Sequence, residues 1–195
     1  MSKKSKQTAV VISQEKLAEG IYDLWIETGL AKEAGAGQFI GVYPKNAATL
    51  LPRPISICEV NEERMALRLV YRVAGKGTTE FSSLKKDDRI EILGILGNGY
   101  RVPELLTGHP EFTEITLYGG GIGIPPMLQL AKELSAAGRK PSVFLGYRDS
   151  HLFLKEDFEK YSKVYVATED GSIGTKGNVL TALSESGLQP SVMMA

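Results

Sequence analysis

The sequence predicts two domains of different class: an antiparallel β-barrel over residues 1–102, then an α/β domain with a doubly wound parallel sheet over residues 103–195. Three observations carry this reading. Short runs with a period of two dominate the first half. After Pro103, buried strands alternate with segments of helical spacing. Glycine is over-used, 21 of 195 residues or about 11% against roughly 7% in average composition, and it clusters where strands hand over to helices.

In chain order, Val10–Ile12 is the first strand candidate. Tyr22, Leu24 and Ile26 then alternate with Asp23, Trp25 and Glu27, and Leu67, Leu69, Tyr71 and Val73 alternate with Arg68, Val70 and Arg72. Phe39–Tyr43, Ile55–Val60 and Ile90–Leu93 complete a set that closure into a barrel would free of exposed edges. Turn-forming stretches such as Ala34-Gly-Ala-Gly37 and Asn61-Glu-Glu63 separate them. In the second half, Ile115–Tyr118 reads as a strand. Met127, Leu130, Ala131 and Leu134 keep helical spacing up to Gly138, a cap. Val143–Leu145 and Val164–Ala167 are buried strands, and a helix near Leu152–Tyr161 is opened by His151. Val179–Leu183 is a short helix capped by Asn178, and Val192–Ala195 is a last strand.

Composition excludes several classes. The 23 basic and 23 acidic residues balance, which argues against nucleic acid, whose phosphates require a basic excess on one face. A single cysteine closes no intrachain disulfide and cannot by itself form an all-cysteine metal or iron–sulfur site. The basic opening Met-Ser-Lys-Lys-Ser-Lys has no apolar core behind it and reads as a frayed polar tail, and no apolar run is long enough to span a bilayer. The expectation is a soluble cytoplasmic protein.

The chemistry-bearing segments are glycine-rich. Tyr118-Gly-Gly-Gly-Ile-Gly-Ile-Pro-Pro-Met127 lies between a strand and a helix, and Gly121-x-Gly123-x-x-Pro126 is a dinucleotide-type turn with proline at the third position. Such a turn brings backbone close to a pyrophosphate and points free N–H groups at it. Gly120, Gly121, Ile122 and Gly123 are therefore candidate nucleotide contacts. The loops Gly146-Tyr-Arg-Asp149 and Thr168-Glu-Asp-Gly171 follow later strands, where open α/β sheets bind ligands, and Gly146, Arg148, Thr168, Asp170 and Gly171 join the candidates. Arg148 would tolerate a ribose 2′-phosphate and Asp149 would repel it. Either loop is equally readable as solvated turn chemistry. In the barrel, Leu51-Pro-Arg-Pro-Ile-Ser-Ile57 sets Arg53 and Ser56 three apart, on opposite faces unless a bulge intervenes. Tyr71-Arg-Val-Ala-Gly-Lys-Gly-Thr78 ends a strand in an anion-friendly loop, with an exposed hairpin as the alternative.

Taken in order, Arg53-Pro-Ile-Ser56, Tyr71-Arg-Val-x-Gly-Lys-Gly-Thr78, Gly94-Ile-Leu-Gly-Asn-Gly-Tyr100 and Gly119-Gly-Gly-Ile-Gly-Ile-Pro-Pro126 resemble the ferredoxin reductase superfamily. Within it, the chain from about Thr8 onward looks most like the electron transfer subunits of NAD-dependent dihydroorotate dehydrogenase. The resemblance implies a first FAD motif at Arg53, Pro54, Ile55 and Ser56, with isoleucine where many members carry an aromatic. It implies a second at Val70, Tyr71, Arg72, Gly77 and Thr78, flanked by Gly75 and Lys76, and NAD on the glycine turn and the 168–171 loop. It further implies hydride exchange between the nicotinamide and the flavin N5, with Ser56 near N5 and Arg53 on the pyrophosphate, and no side-chain acid, base or nucleophile. The implied partner is an FMN-containing catalytic subunit in a heterotetramer of pyrimidine biosynthesis, with no nucleic acid or membrane partner.

Family members continue through a Cys-Gly-Pro motif into a tail whose four cysteines hold a [2Fe–2S] cluster. This sequence ends at Val192-Met-Met-Ala195, where that motif would begin, so the α/β domain is expected to be cut short. Cys58, inside an apolar strand, is expected in the core rather than on a metal. Two alternatives stand beside this reading: a self-sufficient NAD(P)H-dependent flavin or ferredoxin reductase (or a hydrogenase-type diaphorase subunit), and a non-catalytic nucleotide-binding or docking module.

Overall fold

Strands Ser5–Ala18 (β1), Ile21–Glu27 (β2), Phe39–Tyr43 (β3), Arg53–Asn61 (β4), Ala66–Arg72 (β5) and Arg89–Leu96 (β6) close into a barrel in the order β1-β2-β5-β4-β3-β6. Every pairing in it is antiparallel. The structure is a computed structural model describing residues 5–46 and 49–195. The chain divides into two units, Met1–Gly99 and Tyr100–Ala195.

The alternation read from sequence sets which residues line the barrel. Leu24 lies opposite Leu69 and Ile26 opposite Leu67, all of them buried. Such cross-strand apolar pairs are the unit of sheet stabilisation. Tyr71 stacks on Tyr22 (centroids 5.9 Å apart) and meets Phe81 edge-on at 6.1 Å. Phe81 belongs to a short helix, Lys76–Phe81 (α1). On the non-core side of the wall, Arg68 binds both Asp23 oxygens (Nε at 3.0 and 3.1 Å), reaches Glu59 and lies over the Trp25 ring.

The second unit is a sheet of five parallel strands: Ile115–Gly120 (β7), Ser142–Tyr147 (β8), Lys163–Thr168 (β9), Thr175–Lys176 (β10) and Val192–Met194 (β11), in the order β10-β9-β8-β7-β11. Its helices are Val102–Gly108 (α2), Pro126–Ala136 (α3), Lys155–Glu159 (α4) and Val179–Ser186 (α5). On α3 the spaced residues Met127, Leu130, Ala131 and Leu134 are buried. At its end, Arg139 N donates to Leu134 O and Gly138 N to Ser135 O, with Gly138 at φ +76°. This pair of bonds is the Schellman termination that the glycine foretold. Residues in register on β7, β8 and β9 form an aromatic stack, Tyr118–Phe144 at 5.3 Å and Phe144–Tyr165 at 4.7 Å. This stack packs with Val179, Ala182 and Leu183 of α5.

Asn178 caps α5 as expected: its Oδ1 accepts from Leu180 N (2.9 Å) and Thr181 N (3.1 Å). Asn178→Ala should lower the stability of the second unit by about 1 kcal/mol, measured by urea denaturation.

Several elements differ from the sequence expectation. The tail reading fails at Ser5 and Lys6, which pair with β6 as part of β1; Met1–Lys4 lie outside the described residues. The helix expected near Leu152–Tyr161 contracts to α4, because Leu154 adopts φ +65° immediately before it. His151 is not its cap and instead contacts Asp149. The short α1, α2 and Gly29–Lys32 helical turns have no sequence signature, since one or two turns leave no periodicity to read.

Candidate functional site

In the barrel, Arg53 and Ser56 fall on opposite faces of β4, with register unbroken from Arg53 to Ser56. The bulge comes later, between Ile57 and Glu59. Ser56 and Pro54 are exposed, and Ile55 points into the core. Arg53 lies at the barrel rim. Its Nη1 donates to Leu51 O at 2.7 Å, and its side chain crosses the first turn of α1. A Cβ added at Gly77 would stand 2.7 Å from Arg53 Nε and 3.1 Å from Pro44 Cγ. Glycine at 77 is thus what lets the guanidinium lie against the turn.

Thr78 builds that turn. Its Oγ1 accepts from Ala74 N (2.8 Å) and Gly75 N (3.2 Å), and donates to Gly75 O. The side chain is buried, so this hydroxyl is spent on loop shape. The first N–H groups of α1 have no intrahelical acceptor, like those of any helix. Gly75 has nothing within 4 Å of where a Cβ would stand, which leaves the backbone face of the loop open. Lys76 and Arg72 are exposed beside it. Val70 is buried. Tyr71 is buried too: its hydroxyl donates to Gln14 Oε1 at 2.8 Å, while Gln14 Nε2 donates to Phe81 O and Leu84 O. Burial holds the Tyr71 phenol well above its ordinary pKa, with the nearby Tyr22 adding to the effect. The Tyr71 side chain supports α1 from within the barrel.

In the second unit, the candidates converge at the carboxyl ends of the parallel strands. Gly120 pairs in register with Gly146, Gly146 with Ala167, and Tyr147 with Thr168. Past β7, a single 3-10 turn over Gly121–Gly123 runs directly into α3: Ile124 N bonds Gly121 O, Met127 N bonds Ile124 O, and Leu128 N bonds Pro125 O. The helical run therefore starts at Gly121. Its leading N–H groups belong to Gly121, Ile122 and Gly123, while Pro125 and Pro126 have none to lose.

Each glycine has its own reason. A Cβ at Gly119 would sit 2.8 Å from Ile124 Cα, so internal packing fixes that glycine, and one at Gly146 would crowd Val179 Cγ1 at 3.0 Å. Gly120 and Gly123 meet nothing within 4 Å and have no positive φ. The chain's own packing does not require glycine at either position. They keep a bare backbone surface in front of the turn, which suits an anion drawn close to helical N–H groups.

The other loops are more occupied. Thr168 is fully buried, with Oγ1 donating to Ile173 O at 2.8 Å and accepting from Ile173 N. It ties the 168–173 loop and does not present a hydroxyl to solvent. Asp170 accepts from Ser172 N (2.9 Å), and hydrogen bonds from Ser172 hold its carboxyl below the usual range. Gly171, at φ +77°, turns that loop against Lys176. Asp149 Oδ1 accepts from His151 N (2.9 Å) and lies 2.7 Å from His151 Nδ1, contacts that lower its carboxyl's pKa. Arg148 is exposed beside it.

FAD and NAD, as the motif resemblance implies them, fit these residues. The Arg53–Gly77 cradle and the open face at Gly75 suit the flavin nucleotide. The bare Gly120–Gly123 turn suits the dinucleotide. A [2Fe–2S] cluster does not fit. The sequence holds one cysteine, Cys58 is buried in β4 and forms no disulfide, and no group of three or more His, Cys, Asp or Glu among the described residues could hold a metal. No helix among the described residues is long and apolar enough to cross a membrane.

No family profile matches the chain. Curated relatives do. Over 180 residues it is 37% identical to the electron transfer subunit of dihydroorotate dehydrogenase B (NAD(+)) from Streptococcus pneumoniae strain R6, covering 92% of this chain and 69% of that protein. Over 184 residues it is 38% identical to the Enterococcus faecalis V583 subunit of the same description, covering 93% and 68%. Among solved structures, an NADH-dependent reduced ferredoxin–NADP oxidoreductase superposes with a TM-score of 0.81 at 28% identity, over 95% of this chain and 66% of that one. A flavohemoglobin from Malassezia yamatoensis with bound FAD and heme superposes with a TM-score of 0.77 at 19% identity, over 97% and 51%, a likeness of fold alone.

Proposed function

This chain belongs to the family of dihydroorotate dehydrogenase B (NAD(+)) electron transfer subunits, and from that membership we propose that it carries electrons between a dihydroorotate-oxidising partner and NAD, using FAD on its barrel. The observation that carries the reading is the convergence of the Arg53 guanidinium on the α1 turn at Gly77. A bound flavin would supply two-electron exchange with a nicotinamide and onward transfer to a partner.

The chain's own residues bind and orient. Arg53 contributes a fixed positive charge and planar donors for the flavin pyrophosphate, held in direction by Leu51 O. Gly75, Lys76, Gly77 and Thr78 lend backbone and shape to the same pyrophosphate. Pro54, Ile55 and Ser56 line the next stretch of β4, where the exposed Ser56 hydroxyl can donate to a ring nitrogen. Val70, Tyr71 and Arg72 contribute backbone at the end of β5, Tyr71 with its ring turned to the core. In the second unit, Gly120, Gly121, Ile122 and Gly123 receive the NAD pyrophosphate. Gly146, Arg148, Thr168, Asp170 and Gly171 border it, Thr168 by holding its loop. No side chain gives or takes a proton in this scheme; positioning is the protein's contribution.

The partner in this reading is an FMN-containing catalytic subunit, assembled with this chain as a heterotetramer in the cytoplasm. Co-expression with that subunit followed by assay of dihydroorotate-dependent NAD reduction tests it. Complex formation with coupled turnover is the expected result. Absence of a complex contradicts the partner, and steady turnover with ferredoxin instead would favour the reductase reading suggested by the 28% identical oxidoreductase.

A further inference from the structure

Between β3 and β4, the start of the connecting loop is held by an acid that no sequence motif marks. The half-buried Glu80, in α1, accepts with one carboxylate oxygen from Lys45 N and with the other from Asn46 N at 3.2 Å. Thr49 N then bonds back to Asn46 O. The far end of the same loop supplies Leu51 O, the acceptor of the Arg53 guanidinium at 2.7 Å. Pro44 and Arg53 meet over the same point, the place of the missing Cβ of Gly77. One carboxylate therefore holds the Lys45–Asn46 start of the connection whose Leu51 end accepts from Arg53, and does so from the helix over which Arg53 lies.

A carboxylate on the helix that Arg53 crosses would repel a phosphate bound there, because those two charges are alike. Both of its oxygens are occupied by backbone N–H groups of the loop, and a carboxylate is the one side-chain end that accepts two such bonds in parallel.

We propose that Glu80 is a positioning residue for the flavin: it sets the FAD affinity of the barrel by holding the Lys45–Asn46 backbone, and through Leu51 O the direction of Arg53. The inference rests on the reading of Arg53 as the flavin pyrophosphate ligand. It implies that Glu80 acts only through Arg53, so that its removal costs nothing once Arg53 is gone.

The test is a titration of the flavin-stripped chain with FAD, followed by flavin fluorescence, for Glu80→Ala, Glu80→Gln, Arg53→Ala and the Glu80→Ala/Arg53→Ala double variant. Glu80→Ala should raise the FAD dissociation constant about tenfold, as expected for two misplaced charge-assisted contacts. Glu80→Gln, which keeps one acceptor oxygen, should lie between it and the parent chain. The double variant should bind no more weakly than Arg53→Ala alone. The thermal midpoint of the flavin-free barrel should stay within about 3 °C of the parent, the shift of less than 1 kcal/mol. Unchanged or tighter FAD binding in Glu80→Ala, with weakened binding in Arg53→Ala, overturns the inference. So does a double variant whose losses simply add. Unchanged binding in Arg53→Ala overturns the flavin reading on which the inference rests.

Discussion

Replacing Arg53 by alanine should weaken FAD binding about a hundredfold, the loss typical of truncating a charged partner in a desolvated phosphate contact. The barrel itself should persist. Arg53 occupies the rim of β4, and its partners are Leu51 O and the face of Gly77, not the apolar interior built on Leu24, Leu69, Ile26 and Leu67. Lysine at 53 should recover only part of the affinity, because an ammonium offers a point charge without the planar fork that would serve a phosphate and Leu51 O together. Equilibrium titration with FAD, beside thermal melting of the flavin-free protein, separates binding from folding. A melting loss equal for both forms, with affinity intact, would mean that Arg53 is a structural rim residue.

Gly123→Val should leave the fold in place and raise the dissociation constant for NADH by at least tenfold. The space where its side chain would go is open, with nothing of the protein within 4 Å, and its backbone is not in the left-handed region. Any cost therefore falls on a ligand that needs the bare backbone of the Gly121–Gly123 turn. Gly119→Val is the contrasting variant. Its Cβ would begin 2.8 Å from Ile124 Cα, backbone that cannot swing aside, so it should destabilise the unit by about 2 kcal/mol through overpacking. Two neighbouring glycines then fail in different ways, one in binding and one in folding. NADH titration and urea denaturation of both variants check this, and equal melting losses at 119 and 123 would refute the distinction.

Much of the fold was legible because periodicity survives in long elements. The two-residue rhythm of β2 and β5 and the spacing of Met127, Leu130, Ala131 and Leu134 in α3 gave both classes of domain, and Gly138 and Asn178 gave helix ends through local hydrogen bonding. Short elements were not legible. α1 has six residues and α4 five, too few for a pattern, and the left-handed Leu154 that shortens α4 has no signature in leucine. The lone cysteine was legible as a core residue, which is where Cys58 sits.

The candidate site shows a different limit. Sequence order placed Gly120, Gly146 and Thr168 in three separate loops, and parallel register brings them to adjacent strand ends. It could not say which side chains are already committed. Thr168 and Thr78 look like ligand hydroxyls, yet each is occupied by backbone of its own loop. Tyr71 stands in the stretch that resembles a second FAD motif, and its side chain is committed to Gln14 and the core. Glu80 has no sequence signature, because its partners are main-chain N–H groups more than thirty residues away, which any residue but proline supplies.

Anaerobic addition of NADH to the FAD-loaded chain, with visible flavin absorbance as the readout, tests most directly the proposal that this chain binds FAD and NAD and passes electrons from one to the other. Stoichiometric bleaching by NADH, restored by an external electron acceptor, is the predicted result. A chain that takes up no FAD, or whose bound FAD keeps its colour in excess NADH, would contradict it.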